Sequence, residues 1–426
     1  MDSLAYATQS LAQQLRGVSP KQGEIVRLCV TLKASLDGLQ WLKAQHEYPQ
    51  FYLTLRDCEK SYAAIGALRQ FDSLDGAQNF IENTNFPLVG GLTFVGRAQF
   101  ILPRILLEQS GETCQVSLFV EGNHSHEALA ALEGLAQSQS LVPVAKVCVR
   151  QKRFRASPAR WENWINQALG SIAEGKMSKL VLANETTFEL ESSLNPYDFL
   201  AESRQLNKGC YHFLWRQTAD STFLGSTPER LFARDGLQLH TEALAGTAPI
   251  GEDANAQQRW AQWLLNDDKN RLENELVVQD IAHNLQAWLA TWQVADVAIK
   301  PLRTVQHLVR KISAELISSC RDADILALIH PTAAVAGLPQ QAAKQRLQEI
   351  ETFERDWYAG TLGLMSREQA EFCVTIRSAF IEQQQIRVFA GAGIVAGSDP
   401  LAEWKEIERK AAGLISLFAT DNGEEK

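Results

Sequence analysis

The feature that most constrains the fold is a succession of strand-like segments with no helix between them. From Tyr211 the sequence runs through YHFLWRQ, STFLGS, LFARDG and LQLHTEAL, each rich in aromatic and aliphatic residues and separated by turn-forming residues. Parallel strands need a long crossover, usually a helix, whereas antiparallel strands can be joined by short turns. We therefore predict antiparallel sheets rather than a doubly wound parallel sheet. Three more such segments follow: GTLGLMS, FCVTIRSAFIEQ and QIRVFAGAGIV.

Helical patterns alternate with these groups of strands, which makes the fold class α+β. Apolar residues at helical spacing predict a helix that ends near Gly175, before a strand from Lys179: Trp161, Trp164, Ile165, Leu169 and Ile172. Further helices are predicted over about residues 255–292 with a break near 266, over 343–356 and over 400–418.

The first third of the chain has a different character. Residues 22–149 read as strands and turns, with bends at Gly and Pro in LVGGLTFVGRAQFILPRILLEQSG. We place a soft boundary near residue 150. Residues 1–150 are then an N-terminal portion that contributes strands to a shared core, and residues 151–426 carry the candidate site.

Charge and composition exclude several classes of protein. The chain has 41 basic and 50 acidic residues among 426, a net charge of −9, so non-specific attraction to nucleic acid or anionic membranes does not drive its function. No apolar run approaches the ~20 residues that span a bilayer, and residues 1–25 lack the features of a signal peptide. Seven scattered cysteines, never spaced C-x-x-C, indicate reduced thiols of a cytoplasmic protein.

The last predicted helix carries the strongest local pattern. Asp399 and Pro400 form a favourable start, with Asp as N-cap and Pro in the first turn. At 100° per residue, Glu403, Glu406 and Lys410 fall within an arc of about 60°. Two interpretations remain open: a solvated acidic edge with an i,i+4 ion pair, or two carboxylates directed at one point, as a hard divalent cation requires.

Two more charged residues lie beside apolar sequence. Glu273 is followed by Leu276 and Val277, so its carboxylate is costly to bury unless it meets a cation or donors. The alternative is an edge residue paired with Lys269. Lys179 stands at the mouth of a strand, where loss of water favours the neutral amine of a base. Its alternative is an exposed residue that protects a sheet edge.

Other candidates lie in turns after strands. Glu229, in GSTPERLF, follows a proline that restricts the backbone. Gly246 and Thr247 belong to a turn of small residues, and Gly391 and Gly393 to AGAGIVAGSDP. Backbone N–H groups in such turns can hold a carboxylate. The second turn contains G-x-G outside a βαβ setting, which makes a dinucleotide site a weak hypothesis.

Arg377, inside the strand pattern CVTIRSA, is suited to clamp a carboxylate. His330, in HPTAAVAGLP, has no metal-ligand spacing, and a lone histidine is more often a hydrogen-bonded core residue than a ligand. Together, these acids, lysines and arginine are what a pocket for a small polycarboxylate bound through Mg²⁺ would need.

Nine sequence blocks stand in a fixed order: KLVLA (179–183), GSTPERL (225–231), TEALAGT (241–247), DKNRLENELVVQDI (268–281), HPTAAVAGLP (330–339), DWYAGTLG (356–363), VTIRSA (374–379), AGAGIVAGSDP (390–400) and EWKEIERK (403–410). In this order they resemble the chorismate-utilising enzymes, a family that includes anthranilate synthase component I, aminodeoxychorismate synthase, salicylate synthase and isochorismate synthase. The resemblance covers about residues 155–418. It implies large, mainly antiparallel sheets packed together with helices outside, and residues 151–426 as a chorismate-binding catalytic portion.

The resemblance also implies roles for the matching positions. Lys179 matches the general base that activates water to attack C2 of chorismate, and Glu229 the general acid that protonates the departing C4 hydroxyl. Glu273 and Glu406 match ligands of Mg²⁺, the one cofactor expected, with Glu403 beside them. The positions expected to bind substrate are Gly246, Thr247, His330, Tyr358, Arg377, Gly391, Gly393 and Lys410.

Ala245 separates the members of the family. Aminodeoxychorismate synthase has a lysine in this turn that attacks as an amine, whereas alanine cannot attack, so an external nucleophile is needed. TEALAGT and HPTAAVAGLP are most similar to isochorismate synthases of the menaquinone pathway, and we expect that Mg²⁺-dependent isomerase activity. The open alternatives are salicylate synthase, anthranilate synthase component I, a siderophore-pathway isochorismate synthase and a catalytically silent chorismate-binding subunit.

The expected partner is the small molecule chorismate, with no nucleic acid, membrane or glutaminase subunit. The chain is expected to be a monomer or a weak homodimer. ILLEQSG (105–111) faintly resembles an element of tryptophan-sensing members of the family, and we interpret it as structural.

Overall fold

The structure of the protein is a computed structural model that describes residues 3–122 and 124–419. These residues form eleven α-helices and twenty strands. The helices are α1 Ser3–Arg16, α2 Gly38–Ala44, α3 Leu74–Thr84, α4 Ser125–Glu133, α5 Pro158–Ala173, α6 Pro196–Leu206, α7 Ala254–Asn266, α8 Asp268–Leu285, α9 Asp322–Ile329, α10 Gln340–Ile350 and α11 Pro400–Phe418.

The strands are β1 Ile25–Leu32, β2 Gln50–Thr54, β3 Lys60–Phe71, β4 Leu88–Leu92, β5 Ala98–Ser110, β6 Thr113–Glu121, β7 Val149–Phe154, β8 Lys179–Leu190, β9 Tyr211–Arg216, β10 Thr222–Thr227, β11 Arg230–Asp235, β12 Gln238–Pro249, β13 Leu289–Val294, β14 Ala298–Pro301, β15 Val305–Leu316, β16 Gly337–Leu338, β17 Thr361–Met365, β18 Gln369–Val374, β19 Ser378–Glu382 and β20 Gln385–Ile394.

Two runs of hydrogen-bonded strands share β5. One run has the order β1-β6-β5-β3-β2-β9-β10-β19-β20-β8-β7, with β16 also on β8. The other continues from β5 through β4-β17-β18-β11-β12-β15, and β13 and β14 both pair with β15. Every one of these pairs is antiparallel, so the predicted α+β class with large antiparallel sheets is confirmed.

Strands from the first 150 residues lie inside both runs. β2 pairs with β9, and β4 pairs with β17, so residues far apart in sequence share hydrogen-bond ladders. The soft boundary near residue 150 falls within β7, which pairs with β8. The division into residues 1–150 and 151–426 stays a prediction, because no compositional or structural gap marks it.

The longest periodic patterns produced the helices that were predicted. α5 follows an N-cap at Ser157, and α11 follows Asp399, whose side chain accepts a hydrogen bond from the Ala402 N–H. The predicted break near residue 266 lies between α7 and α8, where Asp267 caps the second helix.

Three boundaries differ from the prediction. α8 ends at Leu285, and LATWQV is strand β13, because its residues pair with β15. α10 ends at Ile350, since Glu351 leaves the helical region and its carboxylate accepts hydrogen bonds from Arg355 and from the Ala183 N–H. The segment FCVTIRSAFIEQ is two strands rather than one, with Arg377 at a φ of 51° in the gap between β18 and β19.

The N-terminal portion contains four helices, and three of them lie within residues 22–149, where only strands and turns were predicted. α2, α3 and α4 have 7, 11 and 9 residues, too short for a clear helical period. Two of them carry local start signals, because Asp37 and Ser73 accept hydrogen bonds from backbone N–H groups in the first turn. In the described part of the chain, no helix is long and apolar enough to cross a membrane.

Candidate active site

A cavity lies between the two runs of strands, and its empty space, including open solvent at its mouth, is about 610 Å³. β8 and β20 line one side and β12 and β15 the other, while α8 packs on β12 and α11 on β20. Nine of the thirteen predicted site residues line this cavity: Glu229, Gly246, Thr247, Glu273, Tyr358, Arg377, Gly391, Gly393 and Lys410.

Lys179 is the first residue of β8, and its side chain is fully buried. The strand is paired on both sides there, with Leu338 of β16 opposite Lys179 and Ile394 of β20 opposite Leu180. Lys179 is therefore not an exposed residue protecting a sheet edge. Its Nζ lies 3.1 Å from Oε1 of Glu273, which makes this the ion pair that a buried ammonium requires.

Gly393 allows this pair to form next to β20. A Cβ at position 393 would lie 2.1 Å from Oε1 of Glu273 and 2.9 Å from Cε of Lys179. Any side chain there would displace both groups. The alternative pairing of Glu273 with Lys269 is not formed, because the ammonium of Lys269 instead donates to Glu403, with Nζ 2.7 Å from Oε1.

Glu229 lies in the connection between β10 and β11, and the residue is 4% exposed. Burial raises the pKa of its carboxyl to about 8, and the charge of Glu242 adds to this effect. The ammonium groups of Lys179 and Lys410 act in the opposite direction without cancelling it. A carboxyl of this kind is protonated near neutral pH and can donate a proton.

The last helix brings two carboxylates toward α8. Glu403 is 2% exposed, which excludes the solvated acidic edge, and Glu406 forms the predicted ion pair with Lys410, with Nζ 2.6 Å from Oε1. Burial and the charge of Glu406 raise the pKa of Glu403 to about 7. Burial also acts to raise the pKa of Glu406, but the ammonium groups of Lys410 and Lys269 outweigh it and lower that pKa.

The fit of these carboxylates to a metal ion can be tested on their contacts. In the described residues, no three His, Cys, Asp or Glu side chains already stand together as a ligand set. The charges of Glu406 and Glu273 nevertheless act to raise the pKa of Glu403, and all three carboxylates raise the pKa of Lys269. Oε2 of Glu403 is buried without a hydrogen-bond partner. Buried anionic oxygens with spare capacity are the donors that Mg²⁺ prefers, so this donor set fits it.

The turn at Gly246 is a bulge in β12, where the register with β15 shifts between Leu244 and Thr247. Gly246 has a φ of 86°, which favours glycine, and a Cβ there would lie 3.1 Å from the carbonyl oxygen of Asn270. α8 holds this turn, because Oδ1 of Asn270 accepts from the Thr247 N–H and Nδ2 of Asn274 donates to the Ala245 carbonyl.

Arg377 points its guanidinium into the cavity from the break between β18 and β19. It makes no ion pair with any carboxylate of the described residues, and its one side-chain hydrogen bond there goes to Nε2 of His307, at 2.9 Å. His307 is buried, which lowers its pKa well below the usual value, so its neutral ring can accept this bond. An arginine without a carboxylate partner is suited to bind an anionic group of a ligand.

Tyr358 and Lys410 line the same cavity as Arg377. The ring of Tyr358 stacks on Phe389 with centroids 4.9 Å apart, and Nζ of Lys410 donates to the Gly391 carbonyl at 2.9 Å. A Cβ at position 391 would lie 2.9 Å from the Tyr358 hydroxyl oxygen. Glycine at 391 thus leaves room for the tyrosine beside the cavity.

His330 does not line the cavity. Its Nε2 lies 2.9 Å from the Thr93 carbonyl oxygen, and burial lowers its pKa to about 4. The structure places it in the core, as expected for a lone histidine, and does not bring it to the other candidates.

Two residues that line the cavity lie outside every sequence block that carries the resemblance. His307 is a single histidine in the strand pattern of β15, and Phe389 looks like any other core residue. Only the pairing of β15 with β12, across 60 residues, brings His307 beside Thr247.

Comparisons with known proteins identify one family of enzymes. Residues 93–419 match the family described as chorismate binding enzyme. The isochorismate synthase MenF of Haemophilus influenzae is 55% identical over 423 residues, which cover 99% of this chain and 98% of the relative. MenF of Escherichia coli is 40% identical over 429 residues, covering 98% and 99%. The solved structure of the menaquinone-specific isochorismate synthase MenF from E. coli superposes with a TM-score of 0.92, at 37% identity, covering 98% of this chain and 100% of that one.

Proposed function

The chain belongs to the chorismate-binding enzyme family, and we propose that it is an isochorismate synthase whose chemistry takes place in the cavity lined by Glu229 and Glu273, with Lys179 directly behind Glu273. Full-length relatives of 40% and 55% identity carry this name. The observation that carries the proposal is a buried lysine, ion-paired with Glu273 of the cavity lining, together with Glu229 in the same lining, whose pKa is raised by burial.

The reaction moves a hydroxyl group from C4 of chorismate to C2. Lys179, once its ammonium has given a proton to solvent, takes a proton from water while the water oxygen bonds to C2. The ring double bonds shift, the C4–O bond breaks, and Glu229 gives its proton to the departing oxygen, which leaves as water. Isochorismate has the same composition as chorismate, and solvent returns the proton from Lys179 to Glu229. Each proton transfer contributes roughly 10²–10⁴-fold to the rate.

The cationic side chains that line the cavity are suited to bind the substrate. Chorismate carries two carboxylates, and Arg377 and Lys410 supply charged donors for them. Arg377 has no carboxylate partner among the described residues, so its charge is free for the substrate. Glu273 and Glu406, with Glu403 beside them, would hold Mg²⁺. When bound, this ion would neutralise the ring carboxylate and stabilise charge that develops in the conjugated system.

Ala245 lines the cavity where an internal amine nucleophile would have to stand, and its methyl group cannot attack the ring. Water or ammonia from outside must then act, and the relatives' names favour water. Salicylate synthase and anthranilate synthase activity are the competing possibilities within the family. We propose that the enzyme works without a glutaminase subunit, because no ammonia has to be supplied.

The place of the reaction follows from the same relatives. We propose the first committed step of menaquinone biosynthesis, since the structural neighbour is described as menaquinone-specific. All seven cysteines are free thiols, which supports a cytoplasmic location.

The test is a product assay with purified protein, chorismate and Mg²⁺, with and without ammonium ions. Chromatography is expected to give isochorismate in both cases, reversibly and with little pyruvate. Anthranilate on addition of ammonium, or salicylate as the main product, would overturn the assignment.

A further inference from the structure

The peptide groups on both sides of Glu229 form hydrogen bonds with side chains from outside the connection between β10 and β11. The Pro228 carbonyl accepts hydrogen bonds from the guanidinium of Arg56 and from Nζ of Lys300, the latter at 2.8 Å. On the other side, the Arg230 N–H donates to Oε1 of Glu242 at 3.0 Å. The backbone on both sides of the acid is therefore anchored.

One buried ion pair supplies both anchors. Arg56 binds Glu242 through two nitrogens, with Nη1 2.6 Å from Oε1 and Nη2 2.9 Å from Oε2. The two side chains are 4% and 2% exposed. Arg56 comes from the connection between β2 and β3 in the N-terminal portion, and Glu242 lies on β12 next to the Gly246 turn. A two-point arginine–carboxylate contact of this kind fixes geometry as well as charge.

Glu242 remains ionised in this setting. Burial acts to raise its pKa, but the hydrogen bonds and charge of Arg56 outweigh burial and lower it. A fixed negative charge thus lies next to the acid, and like charges disfavour ionisation of a second carboxyl. The charges of Lys179 on β8, Lys300 on β14 and Lys410 on α11 act on Glu229 in the opposite direction, and Arg377, Tyr358 and the carboxylate of Glu273 line the same cavity.

We propose that Arg56 and Glu242 are positioning residues for Glu229, because their ion pair holds the peptide groups on both sides of the acid. The proposal rests on the proposed function only where turnover is measured. It also gives the first 150 residues a part in the site, because Arg56 reaches it from β2–β3.

The test compares Glu242→Gln with a matched control, Asp322→Asn. Asp322 forms an equally buried two-point pair with Arg234, at 2.6 and 2.8 Å, that does not line the cavity. Glutamine keeps the shape of Glu242 and removes its charge, which leaves the exposed Asp57 as the carboxylate partner of Arg56. Infrared difference spectra against Glu229→Gln identify the carbonyl band of protonated Glu229, and the loss of this band with rising pH measures its titration.

In Glu242→Gln, the Glu229 titration is expected to move about one pH unit lower, and the alkaline limb of kcat/KM should move with it. In Asp322→Asn, both should stay at the wild-type pH although the protein is less stable. The double variant Arg56→Gln/Glu242→Gln, which leaves no buried charge unpaired, serves if the single variant does not fold, and its titration should also move to lower pH.

A Glu229 titration that stays at the wild-type pH in folded Glu242 variants would overturn the inference. A titration that moves in a protein that does not convert chorismate would support the inference and refute the proposed function. The infrared measurement does not require turnover, so the two failures are distinguishable.

Discussion

Nζ of Lys179 lies 3.1 Å from Oε1 of Glu273, and this contact joins the two chemical halves of the site. Lys179 begins β8 and Glu273 lies on α8, so a strand and a helix 94 positions apart in sequence meet at one ion pair. The proposed base is therefore in direct contact with a proposed metal ligand. Changes at either residue are expected to affect both proton transfer and metal binding.

Lys179→Ala and Glu229→Gln are expected to lower kcat by roughly 10²–10⁴-fold each, because each removes one proton transfer of the reaction. Chorismate binding, measured by calorimetry, should change little, since both groups act mainly in the transition state. The control is Lys176→Ala, an exposed lysine just before β8, which should keep wild-type kcat. A Lys179→Ala enzyme with near-normal kcat would mean that another residue is the base.

The pH dependence of kcat/KM follows from Glu229. Its pKa is raised to about 8, so the carboxyl is protonated below this pH and ionised above it. An acid must hold its proton to act, and activity should therefore fall as pH rises through about 8. This alkaline limb is measured from kcat/KM at saturating Mg²⁺. A profile that is flat from pH 7 to well above 9 would contradict the role of Glu229.

Glu406→Gln is expected to weaken Mg²⁺ binding at least about tenfold, which is what loss of even a supporting group costs at metal sites. The amide keeps the shape but loses the anionic charge that a hard cation prefers. Calorimetry with Mg²⁺, or electron paramagnetic resonance with Mn²⁺, measures binding without turnover. Glu408→Gln, an exposed position on the same helix, is the control. Equal metal affinity in both variants would show that Glu406 is not a ligand.

Gly393→Ala should reduce kcat/KM about 10²-fold or more. Its new Cβ would lie 2.1 Å from Oε1 of Glu273, so the Lys179–Glu273 pair must move, and displacements of about 1 Å can have this effect. Gly170→Ala in α5, where a Cβ meets nothing within 4 Å, should leave kcat/KM unchanged and stabilise the helix slightly. Wild-type kcat/KM in Gly393→Ala would indicate that the pair adapts freely.

The sequence predicts what is decided locally. α5 and α11 have long apolar periods and strong caps, and the strand run from Tyr211 has turns that only antiparallel pairing allows. Motif order also marks most residues that line the cavity. It does not reveal what each side chain contacts: the sequence left open whether Glu273 pairs with Lys269, four residues away, and in the structure Glu273 meets Lys179.

Long-range contacts account for the rest. Arg56 and Glu242 are 186 residues apart, and neither stands in a pattern that differs from an ordinary charged turn or strand residue. His307 reaches Arg377 across 70 residues through the pairing of β15. Such contacts depend on which strands become neighbours, and no local property of the sequence determines that.

The central claim, addition of water at C2 with loss of the C4 hydroxyl, is tested most directly by isotope labelling. The protein is mixed with chorismate and Mg²⁺ in water enriched in ¹⁸O, and the first product formed is analysed by mass spectrometry. We expect isochorismate that carries one ¹⁸O atom at C2, together with unlabelled remaining chorismate and no pyruvate. Unlabelled isochorismate, or release of pyruvate with salicylate, would contradict the claim.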